Sequence, residues 1–150
     1  MSGIFGMNIK MAIYGESHGK SIGVVLDGLP PGLALDEAAI AAEMARRAPG
    51  QNALSTARKE SDTVEIQSGF FNGFTTGTPL CARIVNSDQH SKDYSILADK
   101  MRPGHADYAG HVRYQGFNDY RGGGHFSGRL TAPLVFAGAV AKQALAQYGI

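Results

Sequence analysis

The chain has 150 residues, 43% of them hydrophobic and 18% charged, which is enough for the core of one ordinary domain and too apolar for a disordered polymer. Its formal charge of +1 excludes a global field that would draw it to nucleic acid or a membrane surface, so any anion site must come from local clustering of basic groups. A lone cysteine, Cys81, rules out an internal disulfide framework and fits a reducing cytoplasm.

The N-terminus, MSGIFGMNIKMAIYGESHG, lacks a charged flank followed by a continuous apolar run and a cleavage site, so no targeting signal is expected. From Asn8 to Tyr14, Ile9, Met11 and Ile13 alternate with Lys10, Ala12 and Tyr14, and Ile22 to Leu26 is a second apolar run. The expectation is two strands flanking the loop GESHGKS. In that loop Gly15 and Gly19 bracket Glu16, Ser17 and His18. A histidine framed by glycines at a strand end is expected to face a cleft and give or take a proton, or to be a solvated hairpin residue.

The connector GLPPGLAL leads to Asp36, which is placed to cap a helix running to about Arg47 with Ile40 and Met44 on its buried stripe. Arg46 and Arg47 in its last turn complement the helix dipole, and with Arg58 and Lys59 beyond the Pro49-Gly50 loop they can also project into an anion site. Thr63 to Ser68 and Leu80 to Val85 alternate like strands, and Asn72-Gly73 between them is a tight-turn signal. Phe70, Phe71 and Phe74 read as core or interface packing, and Cys81 as a small buried hydrophobe. CxxC and HxxxH patterns are absent, so no structural zinc is expected.

Residues 86–100 read as a polar loop with a helical turn around Tyr94 to Ala98. RPGHADY follows, where Pro103 and Gly104 set a sharp turn, Arg102 and His105 can point to one side, and Asp107 can balance either. His90 and His111 have no such setting. The last informative stretch is NDYRGGGHFSGRLTAPLVFAGAVAKQALA, a glycine-punctuated loop carrying Arg121, His125, Ser127 and Arg129 that turns into an apolar helix. Such a loop lets backbone approach a ligand closely and presents N–H groups to anions. Thr131 is the expected N-cap and Pro133 belongs in the first turn. From Ala132 to Ala141 the run is apolar on all sides yet shorter than the roughly 18 residues of a membrane span, so a buried central helix is expected.

Two glycine-framed histidines and arginines at 47, 58, 102, 121 and 129 call for a small ligand carrying several negative charges. Arginines favour a neutral imidazole, and an incoming phosphate or carboxylate reverses that bias, so a histidine here can protonate a departing phosphate once substrate is bound. GGGHFSG has neither a Walker ending nor Rossmann spacing, and no Ser/His/Asp triad is evident.

GESHGKSIGVVLDGLPPGL, RRAPG, ARKESD, TTGTP, RPGHADY and YRGGGHFSGRLTAPLVFAGAVAKQAL stand in the order and spacing of chorismate synthase, which the chain resembles from near residue 8 to its end. That family converts 5-enolpyruvylshikimate 3-phosphate to chorismate and phosphate, closing the shikimate pathway by a 1,4-anti elimination. It requires reduced FMN although no net oxidation occurs, and NADPH is a candidate reductant. The resemblance implies an α/β (α+β) β-α-β sandwich with a buried central helix, one domain over 1–150, and a cytoplasmic homotetramer that binds a phosphorylated dicarboxylate, with no nucleic acid and no membrane. It implies that His18 is the acid assisting phosphate departure, with Ser17 beside it on substrate, and that His105 manages flavin protonation. Arg47, Arg58, Arg102 and Arg129 would grip substrate anions, and His125, Phe126 and Ser127 would contact the flavin. Many members read GGGRSSARET where this chain reads GGGHFSGRLT, and a common arginine is Ala53 here. Members are also much longer, so the resemblance is to about the N-terminal half. The rival readings are a truncated, non-catalytic polyanion-binding or assembly fragment, and a generic flavin or nucleotide-phosphate binder.

Overall fold

The computed structural model describes residues 3–48, 62–87 and 99–150. Its elements are β1 (Ile4–Phe5), β2 (Lys10–Gly15), β3 (Ser21–Asp27), α1 (Glu37–Arg47), β4 (Val64–Ser68), β5 (Phe70–Phe71), β6 (Phe74–Thr75), β7 (Leu80–Val85), α2 (Asp107–Arg113) and α3 (Thr131–Ala146). Two 3₁₀ segments, Arg121–Phe126 and Gly128–Leu130, lead into α3.

Five strands form one antiparallel sheet in the order β1-β2-β3-β7-β4. Register decides which face is apolar. Ile22, Val24 and Leu26 stand opposite Ile84, Ala82 and Leu80, and Met11, Ile13, Val64 and Ile66 extend that row to the flanking strands. Because side chains alternate along a strand, one face of the sheet carries all of these groups and packs against α1 and α3. Burying each such aliphatic side chain contributes roughly 1.5–3 kcal/mol, which makes this layer the main source of stability.

The caps and turns follow local chemistry. Asp36 Oδ1 accepts from Ala38 N at 2.8 Å and Ala39 N at 3.0 Å, fixing the start of α1 as its sequence predicts. Asn72 and Gly73 both take positive φ and close the β5–β6 hairpin. The connector before α1 packs Leu29, Leu33 and Leu35 into the core. Thr75 Oγ1 donates to Pro30 O and accepts from Leu33 N, tying that connector to the hairpin.

Helix α3 buries Ala132, Pro133, Phe136, Ala137, Ala139 and Val140 against the sheet and α1. The run is apolar all round, yet Leu134, Gly138, Ala141 and Leu145 form an exposed stripe; among the described residues α1 and α3 lie on the inner face of the five-stranded sheet, and β5 and β6 form a separate two-stranded sheet. Thr131 is the first residue of α3 rather than its cap. Its Oγ1 donates to Gly128 O at 2.6 Å, because the preceding 3₁₀ turn already supplies the entry. Cys81 is half-buried on the outer face of the sheet beside the Tyr14 hydroxyl, which crosses over Gly23 to reach it. Phe70 packs on the core while Phe71 and Phe74 are exposed. Among the described residues, no helix is long and apolar enough to cross a membrane. The helical turn expected around Tyr94 to Ala98, and His90, lie outside the described residues, as do Ala53 and Arg58.

Candidate active site

The glycine run is the floor on which both framed histidines rest. Gly122, Gly123 and Gly124 all have positive φ, a backbone course that L side chains rarely take. A Cβ at Gly122 would collide with the Cε1–Nδ1 edge of His18, and one at Gly123 would collide with His105 Cε1 and lie 2.9 Å from its Nε2. Two successive glycines therefore seat the two imidazoles, one each. Ser17 N donates to Gly124 O at 3.0 Å, which holds the His18 loop down on this floor. His18 is consequently 6% exposed and Ser17 2%. The cleft-facing histidine expected from the loop is thus covered on one face by the glycine run, a long-range contact that its own glycines do not announce.

On the His105 side, the RPGH turn is closed by Asp107. Arg102 donates to Asp107 from its backbone N, Nε and Nη2 at 2.9–3.0 Å, and His105 Nδ1 lies 2.6 Å from Asp107 Oδ1. With Nδ1 facing the carboxylate, His105 turns its Cε1–Nε2 edge to Gly123, where the Arg102 guanidinium also approaches. Arg102 chiefly holds the Asp107 carboxyl well below the usual range, so Asp107 stays ionised near neutrality. Asp107 also opens α2, a short helix that hydrophobic periodicity does not signal.

A second carboxylate, Asp119, stands near His18. Arg121 donates to it from its backbone N, Nε and Nη2, which depresses the Asp119 carboxyl and raises the Arg121 guanidinium. Arg121 is thereby committed to a local pair rather than open to a ligand.

Arg47 and Arg129 meet at Asp62. Arg47 Nη1 from the end of α1 donates to Asp62 Oδ2, and Arg129 Nη1 from the turn before α3 donates to Asp62 Oδ1. The Asp62 side chain is fully buried and that of Arg129 is 4% exposed. Arg46 takes the other course: it pairs with Glu43 on the open face of α1. Arg129 Nε donates to Asn86 Oδ1 at 3.2 Å, and Asn86 Nδ2 donates to Glu16 O at 3.0 Å and Gly19 O at 2.8 Å. The arginine pair is thus connected to the loop that carries Ser17 and His18.

His125, Phe126 and Ser127 sit on the far side of the glycine run. His125 Nδ1 is 2.8 Å from Gly15 O, the Phe126 ring lies 6.1 Å from that of Tyr114, and Ser127 Oγ accepts from Arg129 N at 3.3 Å. These three line a cleft of about 260 Å³ whose other walls include Ile13, Leu130, Leu134 and Arg113. An apolar floor, aromatic edge and cationic rim fit a flat aromatic ring with an anionic tail. Among the described residues no group of histidines, cysteines and carboxylates is arranged to hold a metal.

Of the residues singled out in the sequence, Ser17, His18, Arg102 and His105 converge on the glycine floor, and Arg47 and Arg129 converge on Asp62. Asp62, Asn86 and Asp119 complete the site and are not signalled by it. Asp62 is the last residue of ARKESD, and only its place between a basic run and a strand could have marked it.

Comparison with known proteins gives a consistent result. A profile described as chorismate synthase matches residues 9–150. The chorismate synthase of Cytophaga hutchinsonii is 51% identical over 150 residues, covering 100% of this chain and 41% of the relative. That of Burkholderia multivorans is 56% identical over 144 residues, covering 95% of this chain and 39% of the relative. A crystal structure of chorismate synthase superposes with a TM-score of 0.65 at 30% identity, over 95% of this chain and 35% of that one. The chain spans about two-fifths of the length of the curated relatives it matches.

Proposed function

This chain belongs to the chorismate synthase family, and on that footing we propose that it carries the proton-transfer and anion-binding part of the site that converts 5-enolpyruvylshikimate 3-phosphate to chorismate and phosphate. The observation that supports this most is the seating of His18 and His105 on consecutive glycines, with an arginine pair tied to the same loop through Asn86.

In this reading Arg47 and Arg129 present a pair of guanidiniums that carries one positive charge in excess of Asp62, and they attract the substrate's anionic groups. Arg58 joins them in the proposal as a further anion contact, with Arg102 on the His105 side. His18, buried beside Ser17, donates a proton to the departing phosphate. Burial there excludes water, and Ser17 orients the substrate. His105, whose Nδ1 lies beside the Asp107 carboxylate, presents Nε2 toward the glycine floor to move a proton near the flavin. His125, Phe126 and Ser127 would hold FMN in the adjoining cleft. When bound, reduced FMN supplies an electron-rich ring that lends and recovers electron density without net oxidation. The proposal includes NADPH as reductant, a homotetramer and a cytoplasmic setting.

His18→Ala in the active enzyme should lower turnover by roughly 10²-fold or more, a larger loss than the accompanying fall in stability accounts for. Near-normal turnover would remove His18 from the acid role. A second reading, a polyanion-binding or assembly module without turnover, is favoured by the open apolar stripe on α3. It predicts ligand binding with no chorismate formed.

A further inference from the structure

Asp62 is an unusual residue for a binding site that must attract anions. Its carboxylate is fully buried, it takes a left-handed φ of 49° just ahead of β4, and it lies between two arginines that come from the end of α1 and the turn before α3. Burying Asp62 and Arg129 with a half-buried Arg47 beside them is a poor arrangement for stability alone, since well-packed apolar groups of similar volume do as well or better. A non-glycine residue held at positive φ points the same way, because such strain persists where the surroundings over-determine it. Without the carboxylate, two neighbouring guanidiniums, one buried and one half-buried, would repel and separate. With it, one oxygen binds each guanidinium, so their separation is set by the width of a single carboxyl group.

We propose that Asp62 is a positioning residue: it clamps Arg47 and Arg129 side by side as one anion-binding unit, and Asn86 places that unit relative to the His18 loop. The inference rests on the reading of this site as one for a phosphorylated substrate. The geometry of Asn86 carries its second half. One side-chain amide accepts from Arg129 Nε and donates to the carbonyls of Glu16 and Gly19, while Asn86 N donates to Lys20 O at 3.1 Å. Displacing the arginines therefore displaces the histidine loop.

The sign of one effect separates positioning from simple charge. Asp62→Asn removes a negative charge, so electrostatics alone would tighten anion binding, whereas loss of the clamp weakens it. Inorganic phosphate titrated calorimetrically into wild type, Asp62→Asn and Asp62→Glu provides a test independent of turnover. The expected result is a dissociation constant raised about 10-fold or more in Asp62→Asn, with Asp62→Glu intermediate because it keeps the charge but shifts the oxygens. Equal or tighter phosphate binding by folded Asp62→Asn, or no binding by wild type, overturns the proposal. If Asp62→Asn does not fold, Asp62→Glu decides, and an unchanged constant overturns it. In the active enzyme KM for 5-enolpyruvylshikimate 3-phosphate should rise in step, and kcat should fall with it because Asn86 ties Arg129 to the loop that carries His18. A fall in kcat at unchanged KM would assign Asp62 a structural role only. Wild type that binds phosphate as expected but forms no chorismate would sink the functional reading and leave the clamp standing.

Discussion

Replacing Gly123 with alanine is the sharpest probe of the glycine floor. The residue has φ of +86°, and its missing Cβ faces the Cε1–Nε2 edge of His105. Two effects add. A side chain in left-handed backbone costs about 1–2 kcal/mol. The new methyl, 2.9 Å from Nε2 and closer still to Cε1, forces the ring back by roughly 1 Å, since non-bonded heavy atoms settle near 3.5 Å. Overpacking of that kind costs about 1–3 kcal/mol. The protein should therefore lose about 2–5 kcal/mol of stability, the sum of those two ranges. Turnover should fall further than stability implies, because a misplacement of about 1 Å in a reacting group can cost 10²-fold. Chemical denaturation gives the first quantity, and chorismate absorbance under saturating substrate and reduced flavin gives the second. Turnover within about 3-fold of wild type in a folded Gly123→Ala protein would show that His105 does not depend on this seat.

Other outcomes follow from the same geometry. Arg129→Ala leaves the buried Asp62 carboxylate half-paired and should cost about 3–5 kcal/mol in denaturant unfolding, while Arg46→Ala, one residue from Arg47 but on an open helix face, should be indistinguishable from wild type. Equal effects from the two would contradict the assignment of the buried pair. Asp107 has a depressed folded-state pKa, so the unfolded chain takes up its proton first as pH falls. The stabilisation is complete above about pH 4 and is lost below it. Wild type and Asp107→Asn should thus differ in urea midpoint near neutrality, with the gap narrowing steadily as pH falls below about 4, and a gap constant with pH would refute the ion pair. Phe136→Ala, at the centre of the sheet–helix interface and 1% exposed, should cost about 3–5 kcal/mol, whereas a cost under about 1 kcal/mol would place the core elsewhere.

Much of the fold is legible in the sequence because its signals are local. Alternation in β2, β4 and β7, the apolar run in β3, the Asp36 cap and the Asn72-Gly73 turn each depend on residues within a few positions, and each appears where its chemistry places it. The site is legible in part for the same reason. His18, His105 and the glycine run stand out through loop composition. What joins them is long-range and carries no local mark. Arg129 and Asp62 are 67 positions apart, Asn86 and Glu16 are 70, and the glycine run that covers one face of His18 lies more than 100 positions later. Arg47 and Arg121 illustrate the limit: both are basic residues beside loops, yet one shares a buried carboxylate and the other is committed to Asp119 two residues away. The apolar character of α3 is plain in its composition, while the open stripe of Leu134 and Leu145 depends on what packs around it.

The most direct test of the account is stoichiometric. The protein carrying this chain would be supplied anaerobically with 5-enolpyruvylshikimate 3-phosphate and reduced FMN, and chorismate and inorganic phosphate would be measured in the same sample. The account predicts that both appear in equal amounts and that neither appears without the flavin. Phosphate released without chorismate, or substrate bound with neither product formed, would contradict it.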